Sequence, residues 1–102
     1  MELLTVAVEP AGDRIVVQLR GEADLSVVPL LVERLRDAAA AGDPVEVDLA
    51  DVGFLDCACL NALSAFSAAQ RAAGRDCRLV GAPPLVRRLL ALTGREDLLT
   101  DR

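Results

Sequence analysis

Two cysteines one residue apart, Cys57 and Cys59, open a helical stretch, and Asp56 stands just before them. Exposed amides at a helix start stabilise a thiolate, so a thiol redox sensor built on Cys57 and Cys59 is one reading. The other is that both are small apolar fillers, since free cysteine packs as a hydrophobe. Positions two apart on a helix point in different directions, and the filler reading is favoured. Cys77 falls in a strand and reads as core. A C-x-C pair offers too few ligands for a thiolate metal site. The chain has no histidine, which removes imidazole zinc sites and the Ser-His-Asp arrangement together. No phosphate-binding glycine loop is present. No cofactor, metal or catalytic residue is therefore expected, and the chain is read as a non-enzyme.

The carboxylates and hydroxyls are the remaining chemical groups of interest. Asp56 fits a helix N-cap, with a partner contact as the alternative; the cap is favoured because Asp before a helix commonly serves that way. Asp24 carries the same two readings. Asp48 lies on the polar side of a strand, where solvation explains it. A phosphoaspartate receiver would resemble an acidic pair after the first strand with a later lysine; neither is found, and all 11 basic residues are arginines. Ser26 reads as a cap and Ser64 as a tolerated small residue, each with a displaced phosphoacceptor as the alternative. Ala58, Asn61, Ala65 and Ala68 share a helical stripe off the core face. That stripe is either a solvent face rich in a good helix former or, at its N-terminal end, a docking surface.

The elements that must position these groups follow from periodicity. Leu4, Val6 and Val8 alternate with smaller or polar residues, as do Ile15, Val17 and Leu19, which predicts two strands joined by a turn over Pro10–Asp13. Gly21 is expected to end the second strand. Ser26 to about Ala41 is amphipathic, with Val28, Leu31, Val32, Leu35, Ala38 and Ala39 on one face, and Gly42 stops it. Val45, Val47 and Leu49 predict a third strand, Ala50–Gly53 a short turn, and Phe54-Leu55 an apolar pair before the next helix. That helix runs from Cys57 to Ala73, with Cys59, Ala62, Leu63, Phe66, Ala69 and Ala73 facing inward. Cys77–Gly81 reads as a fourth strand. Pro83-Pro84 introduces a last helix carrying Leu85, Val86, Leu89, Leu90 and Leu92, and Leu98 with Leu99 offers a terminal pairing segment.

The order β-β-α-β-α-β-α predicts an α/β fold: one domain over 1–102, with a mixed, mostly parallel sheet of four to five strands and helices mainly on one face. Composition bounds the rest. Of 102 residues, 53% are hydrophobic, so a core is affordable, but only 2% are aromatic. Base stacking has almost no material, and a net charge of −5 repels phosphate backbones and anionic membranes. No nucleic acid and no membrane insertion are expected. The free-cysteine pattern suits a cytoplasmic protein that meets another protein.

Here a family likeness enters. Gly21-Glu22-Ala23-Asp24 resembles the G-E-L-D segment of STAS domains. Val47-Asp48-Leu49 followed by Val52-Gly53-Phe54-Leu55-Asp56 resembles the V-D-L-S … V-x-F-L-D-S-S-G-L signature of bacterial anti-sigma factor antagonists, and Gly81-Ala82-Pro83 with Gly94 matches the closing region. The resemblance implies a module that binds an anti-sigma factor, often a serine kinase, and so releases a sigma factor. It implies a switch in which the kinase phosphorylates the second serine of D-S-S-G and breaks the complex. This chain departs there: Asp56-Cys57-Ala58-Cys59-Leu60 stands in place of D-S-S-G-L. Ala58 has no hydroxyl, so phosphorylation at that position is excluded. The partner-binding set expected is Asp24, Ser26, Asp56, Cys57, Ala58 and Asn61, on a monomer or weak dimer. The alternative is a STAS subunit of another assembly, such as a lipid-transport ATPase complex.

Overall fold

The computed structural model describes residues 2–99; the expected domain limits, 1 and 102, lie outside the described residues. Strands β1 (Thr5–Ala11) and β2 (Arg14–Ala23) form the opening hairpin. A short 3-10 turn, Leu25–Val27, leads into α1 (Val28–Ala39). Then come β3 (Val45–Leu55), α2 (Cys57–Ala72), β4 (Cys77–Val80), α3 (Pro84–Leu92) and a closing 3-10 turn, Glu96–Leu98. The sheet has four strands in the order β1-β2-β3-β4, antiparallel in the first pair and parallel in the other two. Leu99 forms an isolated parallel bridge to Leu79, so the terminal pairing segment exists.

Strand alternation decides what is buried. Val17, Leu19, Val45, Val47, Leu49, Cys77 and Leu79 enter one core with Leu31 and Leu35 of α1, Leu60 and Leu63 of α2, and Val86 and Leu90 of α3. Residues of opposite parity, among them Gln18, Arg20, Glu46 and Arg78, are exposed or half-buried on the other sheet face. Arg14 and Glu46 pair there at 3.0 Å. One apolar and one polar sheet face is what a one-sided helical layer requires.

Four expectations need correction. The hairpin turn is Gly12-Asp13 and not Pro10–Asp13, because Pro10 and Ala11 extend β1 opposite Ile15 and Arg14. The other three concern β3, β2 and α2. First, Ala50–Gly53 is not a turn: β3 continues through it to Leu55. Gln18 lies opposite Asp48 but Arg20 opposite Asp51, and Gly21 lies opposite Val52 but Glu22 opposite Phe54. Each shift inserts one extra residue into β3, a β-bulge. Asp48 is part of the first bulge: its Oδ1 accepts from the Ala50 amide at 2.9 Å, so its role is local structure as well as solvation. Second, β2 runs past Gly21 to Ala23. Third, α2 presents a different face: Leu60, Ser67 and Gln70 are buried with Cys59 and Leu63, whereas Ala69 and Ala73 are exposed. Leu60 is the larger apolar load, and the alanines tolerate either side.

That rotation buries Ser67 Oγ and Gln70 Nε2 without hydrogen-bond partners. The Ser67 hydroxyl sits close enough to the Cys77 thiol to oppose the rise in thiol pKa that burial causes, but without hydrogen-bond geometry. A buried donor without a partner carries a desolvation cost of about 1–3 kcal/mol, and Ala is the better helix former. Ser67→Ala is therefore expected to stabilise the chain by about 0.5–1 kcal/mol in urea unfolding. A loss of stability would mean that the hydroxyl has a partner after all.

Candidate functional site

The α2 mouth is built by Asp56. Its backbone is extended (φ −90°, ψ 173°) and its Oδ1 accepts from the Cys59 amide at 3.0 Å, which makes it the helix N-cap. Its own amide donates to the Ala23 carbonyl at 2.9 Å, pinning the end of β3 to the end of β2. Cys59 closes the joint from the helix side: its thiol donates to the Asp24 carbonyl at 3.2 Å and its side chain is fully buried. Asp24 caps the 3-10 turn, its Oδ1 accepting from the Ser26 amide at 2.9 Å and from the Ser26 hydroxyl. Asp24, not Ser26, is thus the cap of that turn.

Hydrogen bonds therefore tie the β2–α1 connection to the start of α2. Ser26, Cys57 and Asn61 are exposed, and Asp24, Asp56 and Ala58 are half-buried, so every expected partner-binding residue reaches the surface. Ser64 is half-buried further along α2. Asp56→Ala is expected to cost about 1 kcal/mol, the usual worth of an Asp cap, read by denaturant midpoint. No loss would show that the Cys59 amide finds another acceptor.

The cysteines divide sharply. Burial first, then the neighbouring Asp56 and Asp24 carboxylates, push the Cys59 thiol up to about 12. Burial also raises Cys77. A thiolate, not a thiol, is the nucleophile, so Cys59 is poorly suited to the second role in a redox pair. In native protein a thiol reagent is expected to modify Cys57 rapidly, and Cys59 and Cys77 only on unfolding. The same shifts fix a pH dependence. The unfolded thiol loses its proton near an ordinary value of about 8.5, while folded Cys59 holds it to about 12. Above pH ~8.5 the unfolded state binds fewer protons, so stability falls as pH rises towards 12. Cys59→Ala should flatten that slope; an unchanged slope would place the titration elsewhere.

Sequence reasoning missed the apolar surface beside the mouth. Leu25 is 69% exposed, Phe54 42% and Leu85 57%. The sequence presents Phe54 and Leu55 as an apolar pair, but the second bulge sends Leu55 inward and leaves Phe54 outside. Glu22 lies opposite Phe54 in the sheet, with Asp24 and Asp56 at the ends of the same two strands, and none of the three forms an ion pair among the described residues. The described residues contain no group of three or more His, Cys, Asp or Glu side chains able to hold a metal ion. None of their helices is long and apolar enough to cross a membrane.

Comparison with known proteins agrees with this geometry. No curated protein matches the chain significantly. An anti-sigma factor antagonist from Mycobacterium paratuberculosis is similar in structure, with a TM-score of 0.84 and 28% identity over 95% of this chain and 83% of its own. The anti-sigma factor antagonist SpoIIAA in its unphosphorylated form superposes with a TM-score of 0.79 at 17% identity, over 96% of this chain and 88% of its own. The phosphorylated form of the Bacillus cell fate determinant SpoIIAA gives 0.74 at 17%, over 96% and 91%. At 17% identity these two speak for the fold alone. A family model described as "Mlab, STAS domain" matches residues 6–100. With nearly the whole chain matched and the same architecture in its structural neighbours, the chain belongs to the STAS domain family.

Proposed function

We propose that this protein is an anti-sigma factor antagonist. It binds an anti-sigma factor of the serine-kinase type in the bacterial cytoplasm and thereby releases a sigma factor. Docking uses the α2 mouth and the adjoining turn: Asp24, Ser26, Asp56, Cys57, Ala58 and Asn61. The observation that carries the reading is an accessible helix start, braced by Asp56 and Cys59, with a methyl group at Ala58 where the resemblance places the phosphoacceptor hydroxyl. The 28% identical anti-sigma factor antagonist from Mycobacterium paratuberculosis supports the general role. Lacking a hydroxyl at residue 58, the chain stays in its binding-competent form when the kinase has ATP. It acts as a monomer or weak dimer and needs no cofactor.

The test has two parts. The tagged chain should retain a kinase-like anti-sigma factor from its host in a pull-down, and the mass of the chain should be unchanged after incubation of that complex with ATP. Failure to retain such a protein contradicts the role. A phosphate mapping to Ser26 or Ser64 contradicts the unswitched form of it.

A further inference from the structure

The edge of a sheet presents unpaired backbone groups, which proteins cover or guard. At one edge of this sheet, β4 is only four residues long and Leu99 bridges to its Leu79. At the other, β1 runs for seven residues with no further strand beside it among the described residues. The ladder fixes which groups of β1 face outward. Pro10 lies opposite Ile15, and the Ile15 amide donates to the Pro44 carbonyl at 2.9 Å, on the side away from β1. Pro10 and Ile15 are therefore a pair that exchanges no hydrogen bonds, a position that suits proline. Such pairs alternate with bonded ones, so Val8 opposite Val17 and Val6 opposite Leu19 are of the same kind. The N–H and C=O of Val6 and Val8 thus point to the open edge, and no backbone hydrogen bond from a turn or loop reaches them among the described residues. From Thr5 to Val8 the usual guards are missing: there is no charge, no proline and no bulge.

We infer that β1 is a dimerisation edge, which pairs antiparallel with β1 of a second copy about a two-fold axis at Ala7. In this register Val6 of each copy lies opposite Val8 of the other, and each such pair exchanges both of its backbone hydrogen bonds. Ala7 faces its own counterpart in a pair without hydrogen bonds, where side chains come closest and a methyl group fits. Thr5 lies opposite Glu9, so no like charges meet. An axis at Val8 would set Pro10, which has no N–H, against Val6. An axis at Val6 would call on Leu4, which lies outside the strand. The strand therefore complements itself in one register, and this self-complementarity favours a second copy over an unrelated strand. Val6 and Val8 are only half-buried against the core, and the second copy's valines would complete their cover. A net charge of −5 on each copy repels at long range and keeps the dimer weak.

Sedimentation of the full chain from about 10 µM to about 1 mM should show a reversible monomer–dimer equilibrium. Added salt should tighten it, because screening removes the repulsion. Ala7 is exposed, so Ala7→Lys and Ala7→Glu should keep the circular dichroism and melting of the unaltered chain. Each should weaken the dimer by about tenfold or more, since like charges then stand directly opposite. An equimolar mixture of the two variants should pair at least as tightly as the unaltered chain. A further readout needs no variant: hydrogen exchange at the Val6 and Val8 amides should slow as the protein concentration rises. A chain that stays monomeric over the whole range overturns the inference, as does a dimer that Ala7→Lys leaves unchanged. Failure of the mixture to pair overturns the register at Ala7. Val6 and Val8 amides that gain protection only when a different host protein is added would give the edge to a foreign strand, and overturn the inference too.

Discussion

Replacing Gly21 by valine is expected to cost about 3 kcal/mol or more, a large share of the ~5–15 kcal/mol that holds a small domain folded. Two effects add. The residue sits at φ +104°, outside the region an L side chain adopts easily, and such strain costs on the order of 1–3 kcal/mol. A Cβ there would also lie 2.9 Å from the Leu3 carbonyl oxygen and 3.0 Å from that of Glu2. Both are backbone atoms, so the amino-terminal segment itself must move. That segment accepts a hydrogen bond from the Glu22 amide at 2.8 Å, and it leads into Leu4, which is buried. Gly53 is the internal control. It is not among the glycines with positive φ, and its added Cβ would meet only Glu22 Oε1 at 3.7 Å, an ordinary contact. Gly53→Ala should therefore stay within about 0.5 kcal/mol. Urea unfolding of the two variants measures the difference, and comparable midpoints would mean that the segment does not rest on Gly21.

On the proposed function, Ala58→Ser is expected to install a phosphorylation switch at residue 58. The position is the second residue of α2, half-buried at the accessible mouth. On that reading, a hydroxyl placed there should be phosphorylated by the serine-kinase partner that the proposal names, while the unaltered chain gains no mass. The phosphoryl group adds about −1.5 to −2 charges beside Asp56 and Asp24, neither of which is in an ion pair among the described residues. Like-charge crowding at a docking surface should weaken the complex at least a hundredfold. The cost to folding is small, because Ser gives up only about 0.5 kcal/mol of helix propensity to Ala. Mass spectrometry and an affinity measurement before and after ATP read both effects. A kinase that binds Ala58→Ser tightly yet never phosphorylates it would place recognition away from this mouth.

How much of this was legible in the sequence depended on whether one period ran undisturbed. β1, the body of β2 and β4 show the two-residue alternation of a half-buried strand, and each was expected close to where it lies. β3 was read correctly only to Leu49. Its buried residues then fall at Val52 and Leu55, three apart, because each bulge adds a residue. A broken period with a glycine inside it reads as a turn, and the exposure of Phe54 was lost with it. α2 misled for another reason. Its alanines fit either face, so the inward side could be settled only by Leu60 and by the tight joint at Cys59, which depends on a carbonyl 35 residues earlier. The caps were legible because capping is local: Asp56 and Asp24 act on amides two or three residues on. The apolar surface shared by Phe54 and Leu85 was not, since nothing in the spacing of β3 and α3 reveals that they meet.

Hydrogen exchange on the complex with a kinase-type anti-sigma factor reaches the central claim most directly. Amides of residues 24–26 and 56–61 should gain protection when the partner binds, with ATP present and the chain unmodified. Protection confined to the polar sheet face, around Gln18 and Arg20, with the α2 mouth exchanging as in the free chain, would contradict the assignment.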